Sequence, residues 1–252
     1  MPALAQDKSQ PVVGAAPEGA IDERSAALAV QQMFDEISPR YDLLNHVLSM
    51  NIDRLWWWRT ARTFRPALQR PGARALDLCC GTGDMATALR RQGPAAEIIG
   101  ADFSPGMLMR GMPKFRSCAI APVEADALQL PFPDESFDLV VSAFGFRNLT
   151  NYEAGLREIY RVLRRDGEAG ILDFSEPGGL LGKLYGFYFR QILPKIGTLI
   201  SGVRGPYSYL PASVSRFPSP GEMQARMRRA GYREAAWQPY TFGIAGLYRG
   251  KK

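Results

Sequence analysis

One histidine and three cysteines in 252 residues exclude several chemistries at once. No Cys/His cluster has the spacing of a zinc site, so no metal is expected. Cys79, Cys80 and Cys118 are too few for a disulfide framework, which points to a reducing, cytoplasmic setting. No run approaches the ~18 uninterrupted apolar residues of a membrane span. Residues 1 to 24 lack the apolar core of a signal peptide. Rich in Ala, Pro, Gly and Gln, they read as a disordered tail. Neither sign of charge dominates: 31 basic and 25 acidic residues leave +6, which predicts no nucleic-acid partner. Arginines do gather between Arg54 and Arg74, either as a solvated helical face or as a surface drawn to an anionic membrane.

What is present is a core. Hydrophobic residues make up 46% of the chain, enough for one large α/β domain. Its most informative stretch, Leu76 to Asp84, reads as a strand entering a glycine-rich turn and then a helix. Glycines let a ligand approach the backbone closely, and the helix start offers free N–H groups. Gly81-Thr82-Gly83-Asp84-Met85-Ala86 fits G-x-G-x-x-A, a pattern shared by dinucleotide and S-adenosylmethionine sites. Asp102, after the apolar run Ile98 to Ala101, stands where a carboxylate meets ribose hydroxyls. Asp84 would repel a pyrophosphate, whereas Asp77 and Asp84 suit a sulfonium and an ammonium. Asp126, with Ala127 after it, ends a third apolar lead and can accept from an adenine amine. The expected cofactor is therefore S-adenosylmethionine, at Asp77, Gly81, Thr82, Gly83, Asp102, Asp126 and Ala127.

Periodicity predicts helices over 25–37, 43–48 and 54–65, the last ended by Pro66. Strands over 74–78, 97–101, 122–125, 137–143 and 168–174 alternate with helices over 84–91, from Ser104-Pro105, and over 152–163. Arg164 to Gly167 reads as an exit turn. That alternation implies a doubly wound, mostly parallel α/β sheet. A helix over 220–230 leads to strands over 232–237 and 240–248, too close for a crossover and so an antiparallel hairpin at the sheet edge. The whole is a seven-stranded, Rossmann-like domain over 25–252, with a helical cap over 25–70. An apolar insertion, 178–218, reads as a lid, a membrane-surface helix or ordinary packing. Trp56-Trp57-Trp58 cannot all face one side of a helix, so at least one points outward.

This chain resembles the class I methyltransferases, and within them the ubiquinone/menaquinone biosynthesis C-methyltransferase family. The resemblance covers about residues 30 to 250. It is carried by Phe34 to Asn45, by Asp53-Arg54-Leu55-Trp56, by Phe144-Gly145-Phe146-Arg147-Asn148-Leu149-Thr150, and by Arg157 to Leu163 and Ile171 to Ser175. It departs from the family at His46, at Ala143, where a Ser that touches the cofactor is usual, and at Asp126, where some members carry Asn. The resemblance implies a cofactor contact at Ala143, made by the backbone there or by Ser142. The resemblance implies ring-carbon methylation of a prenylated hydroquinone. Demethylmenaquinol is the first choice; a methoxy-benzoquinol of the ubiquinone branch, both substrates, or a silent scaffold in a quinone-synthesis complex are alternatives. It implies Arg147, Asn148 and Tyr41 as catalytic groups and Tyr41, Asn45 and Phe144 as substrate contacts, with Arg147 either meeting the ring oxyanion or pairing with a structural carboxylate. The expected partners are the quinol, a transient membrane surface at the inner face of the cell membrane, and a homo-oligomer or quinone-synthesis complex.

Overall fold

The computed structural model describes residues 14, 15, 17, 19–38, 49, 51–177, 186 and 206–252, with the backbone alone at 206–208. Seven strands form one sheet: β1 Arg74–Leu78, β2 Glu97–Asp102, β3 Ala121–Glu124, β4 Phe137–Ala143, β5 Leu163–Phe174, β6 Arg233–Tyr240 and β7 Ala245–Lys251. Their order is β3-β2-β1-β4-β5-β7-β6, with β1 to β5 parallel and β7 antiparallel to both neighbours. This is the doubly wound sheet with a terminal hairpin that the alternation implies. The described helices are α1 Glu23–Ile37, α2 Ile52–Thr63, α3 Arg65–Leu68, α4 Asp84–Gln92, α5 Pro105–Ser117, α6 Tyr152–Val162, α7 Pro206–Arg216 and α8 Pro220–Arg229.

Strand pleating divides the core in two. Leu76, Leu78 and Val140 face α6 and α8, against Leu156, Ile159, Met223 and Met227. Ala75, Leu139 and Val141 face the other way, onto Phe64, Met85, Leu89 and Phe115. β4 therefore reads as a nearly continuous apolar run, broken by Asp138 and Ser142, because both its faces are covered.

Three boundaries differ from expectation. Phe64, not Pro66, breaks the helix after Thr63, and Pro66 sits in the first turn of α3, where its missing N–H costs nothing. Arg164 to Gly167 is not an exit turn but lies within β5. Leu163 already pairs with Phe137, and the register shifts before Leu139 meets Glu168. Asp166, at φ 60°, takes up the irregularity. The final hairpin turns at Thr241 to Ile244 rather than near Gln238, which leaves Pro239 inside β6. β6 is an edge strand, so a residue without an N–H is tolerated there. The predicted helix over 43–48 and most of the insertion, through residue 205 except Gly186, lie outside the described residues. Two residues of the expected disordered tail, Gly14 and Ala15, donate backbone hydrogen bonds to Thr150 and Leu149.

Candidate active site

A cleft of about 810 Å³, counting its open mouth, lies at the C-terminal ends of β1, β2 and β4. β1 has β2 on one side and β4 on the other, so the strand order reverses there and the connections diverge to leave a crevice. The floor is strained. Cys79 and Phe144, which follow β1 and β4, hold φ of 56° and 58°, and Gly81 holds 54°. Only glycine adopts that backbone without cost. The two turns touch: a Cβ on Gly145 would stand 2.3 Å from the Cys79 Cβ. Burial pushes the Cys79 thiol well above its ordinary range, so it serves as wall rather than nucleophile.

Helix α1 is the roof, through Ala27, Val30, Gln31 and Phe34. Asp22 caps it, accepting from Ser25 N at 2.7 Å. Gln31 Nε2 donates to the Phe103 carbonyl at 2.8 Å. Asp35 accepts from Ser104 Oγ at 2.5 Å and from Gly106 N at 3.0 Å, which ties the roof to the start of α5. The sequence reading assigned these roof residues no role. The signal was there, because Phe34 and Asp35 open one of the segments that carry the resemblance.

Of the residues expected to hold the cofactor, Gly81, Asp102, Asp126, Ala127 and Ala143 line this cleft. Asp102 accepts from Gly81 N at 2.7 Å and Ser104 N at 2.9 Å, while burial pushes its carboxyl upward against those bonds. Asp126 lies at the exposed rim and accepts from Leu128 N at 2.8 Å.

Asp77, Thr82 and Gly83 stand behind the turn and do not line the cleft. Thr82 Oγ1 accepts from Lys114 Nζ at 3.1 Å, and Gly83, at φ 89°, is backed by the Phe115 ring. Lys114 also pairs with Asp84 at 2.8 Å. Asp84, expected to suit a sulfonium and an ammonium, thus holds Lys114 as its counter-ion and does not line the cleft. Asp77 is fully buried. One oxygen accepts from Ala86 N at 2.8 Å, pinning α4 to β1, and the other has no partner.

Burial pushes the Asp77 carboxyl well above its ordinary 3.8. The folded protein then binds a proton that the unfolded chain releases, so stability falls as pH rises from about 3.8 through the raised folded value. Asp77→Asn keeps an acceptor for Ala86 N and removes the charge. We expect that variant to lose this pH-dependent decline and to melt higher than the parent at neutral pH, measured by thermal unfolding across pH. An unchanged profile would place the proton elsewhere.

On the opposite side Phe144 and Asn148 line the cleft. Trp56, Phe144 and Phe174 form an aromatic wall, with ring centroids 5.7 Å, 6.1 Å and 4.6 Å apart in pairs. Asn148 is 9% exposed and its Oδ1 has no hydrogen-bond partner. Arg147 does not line the cleft. Its Nη1 pairs with the fully buried Asp173 at 3.0 Å and also donates to the Phe144 carbonyl. Its backbone N–H donates to the same carboxylate at 3.0 Å, and its guanidinium lies 5.4 Å from the Phe174 ring. Of the two roles open to Arg147, the geometry carries the structural pair. Tyr41, Asn45 and His46 lie outside the described residues.

Residues 20–252 match the model of the ubiE/COQ5 methyltransferase family. The chain belongs to that family. A demethylmenaquinone methyltransferase of Deinococcus radiodurans is 46% identical over 92% of this chain and 95% of its own length. A ubiquinone/menaquinone biosynthesis C-methyltransferase of Geobacter sulfurreducens is 44% identical over 88% of each chain. In fold, the chain is similar to an S-adenosylmethionine-dependent methyltransferase from Thermotoga maritima. The TM-score is 0.61 at 20% identity, over 88% of this chain and 99% of that one. This ubiE/COQ5-family protein is thus a methyltransferase with the class I fold. Among its described residues no helix is long and apolar enough to cross a membrane.

Proposed function

We propose that the protein transfers the methyl group of S-adenosylmethionine to a ring carbon of a prenylated hydroquinone, with demethylmenaquinol as substrate. The observation that carries this reading is the pairing, in one cleft, of a buried unpartnered amide, Asn148, with an aromatic wall, in a chain of this family. The cleft suits the donor. Asp102 and Asp126 offer acceptors for ribose and adenine groups, and Gly81 leaves room against the backbone. When bound, S-adenosylmethionine supplies an electrophilic methyl on a sulfonium.

The protein's own task is to make the ring carbon nucleophilic and to aim it. A phenol-type hydroxyl has a pKa of about 10, so its anion is scarce at neutral pH. Asn148 meets that hydroxyl: its unpartnered Oδ1 accepts from the O–H, and its Nδ2 amide donates to the oxygen as charge develops there, while the hydroxyl proton and the displaced ring hydrogen leave to water. Phe144, backed by the buried Trp56 ring, presents an aromatic side chain to the cleft, which fixes the approach of the ring. Helix α1 closes the cleft over the donor and keeps water out. Arg147 acts at one remove, by holding the Phe144 carbonyl and the loop that carries Asn148.

The test is turnover with methyl-labelled donor and two reduced acceptors, demethylmenaquinol and the methoxy-benzoquinol precursor of ubiquinone. Label in the naphthoquinol is expected. Label in the benzoquinol alone would move the protein to the other branch, which the Geobacter relative's double name keeps in view. Donor binding with label in neither would sink the reading.

A further inference from the structure

Helix α2 has two faces. Inward, Trp56 is buried, donates from Nε1 to Thr241 Oγ1 at 2.8 Å, and packs on Phe144 of the cleft wall. Outward, Leu55 and Trp58 are 55% and 46% exposed. In the β6–β7 turn, which Trp56 grips through Thr241 and whose preceding residue Tyr240 lies under Arg59, Phe242 is 83% exposed. Its backbone is left-handed, at φ 59° and ψ 21°, a conformation that costs a phenylalanine and would suit glycine. A large apolar ring is thus held in water on a strained turn, and the fold's own packing offers no reason for it.

Three arginines share α2 with Leu55 and Trp58, and a fourth, Arg65, opens α3 directly after it. Arg54, Arg59, Arg62 and Arg65 are all exposed, and among the described residues none has an ion-pair partner. Arg59 lies 4.5 Å from the Tyr240 ring and Arg62 5.3 Å from the Trp58 ring, which holds their charges beside the apolar groups. Tryptophan and phenylalanine among arginines are the mixture that settles at the boundary between lipid headgroups and acyl chains. Four like charges would repel a second copy of the same face.

We infer that the outer face of α2, with Phe242, docks this methyltransferase on an anionic lipid surface. The inference rests on the proposed substrate: a polyprenyl tail resides in the bilayer, so the enzyme must come to it. Trp56 joins the docking face to the cleft wall, so the helix that meets lipid also supports the aromatic floor on which the ring would lie.

Flotation of the full-length protein with vesicles tests this, comparing phosphatidylglycerol mixed with phosphatidylcholine against phosphatidylcholine alone. Binding to the anionic vesicles is expected, weakening with salt. Trp58→Ser with Phe242→Gly should lower the partition at least tenfold. Arg54→Gln with Arg62→Gln should lower it by roughly twenty-five-fold on anionic vesicles only, each arginine counting for about fivefold. Phe242→Gly relieves the strained turn, so on its own it should unfold no lower than the parent, which separates lost docking from lost folding. Methylation of a short-tailed, water-soluble quinol should be the same in all variants. That assay reports on the proposed reaction alone, so its failure is distinct from failure of docking. Absence of binding to anionic vesicles would overturn the inference. So would variants that float like the parent, or a parent that self-associates through this face and ignores lipid.

Discussion

Asn148→Ala is expected to lower the rate of methyl transfer by about 10²–10³ while donor affinity stays within a few-fold of the parent. The asymmetry follows from position. Asp102, Asp126 and Gly81 line the side of the cleft proposed for the donor, and Asn148 stands on the other side with Phe144, on the loop after β4. Its Oδ1 is buried and makes no bond within the protein. A buried polar group left unpaired costs about 1–3 kcal/mol, a cost the fold retains where a ligand satisfies the group. Removing the amide therefore costs little in folding and much in turnover. Donor binding by calorimetry and single-turnover transfer separate the two effects. A variant that transfers methyl at the parental rate would rule Asn148 out as the group that meets the ring oxygen.

Arg147→Ala should act on stability. The guanidinium and Asp173 form a pair in which the carboxylate is fully buried, and removing one member leaves a charge without its partner, at a cost of about 3–5 kcal/mol. Even beside Arg147, burial holds the Asp173 carboxyl above its ordinary value. Without Arg147 it rises further, and the folded variant takes up a proton to escape the cost. The loss should therefore be smallest in acid and grow as pH rises toward and past the shifted value. Arg147→Met with Asp173→Leu, which removes both charges and keeps most of the volume, should recover much of the stability. Denaturant unfolding across pH measures all three. If Arg147→Ala folds as stably as the parent but transfers no methyl, the guanidinium acts on the substrate and the structural role assigned to it fails.

Much of this was legible in the chain. β1 and β4 begin and end where expected, because strands covered on both faces are mostly apolar, with Asp77 in β1 and Asp138 and Ser142 in β4 as exceptions. Ser104 accepts from Met107 N at 3.1 Å and caps α5 as its place before Pro105 predicts. Gly231, at φ 103°, follows the last turn of α8. One tryptophan of three does face outward, since a helix cannot turn three successive residues to one side. The boundaries that moved are those where local signals compete with pairing. The Arg164 to Gly167 segment is turn-like by composition and pairs with no residue of β4; it lies within β5 because Leu163 before it pairs with Phe137 and Glu168 after it pairs with Leu139. Pro239 reads as a stop, yet an edge strand has no neighbour on one side to miss its N–H.

The candidate site divides the same way. The sequence by itself determined the glycine turn, the acidic residues after β2 and β3, the segment from Phe144 to Thr150, and so the family and its chemistry. These are local patterns, in which a ligand-facing backbone demands particular residues at fixed spacing. Only the tertiary structure decided which of them face the cleft. It set Asp84 against Lys114, 30 residues away, and Arg147 against Asp173, 26 residues away, and it brought α1 over the cleft through Asp35 and Ser104. Whether a charge is free for a ligand or already neutralised depends on what the fold brings within about 4 Å of it, and no reading of neighbouring residues contains that.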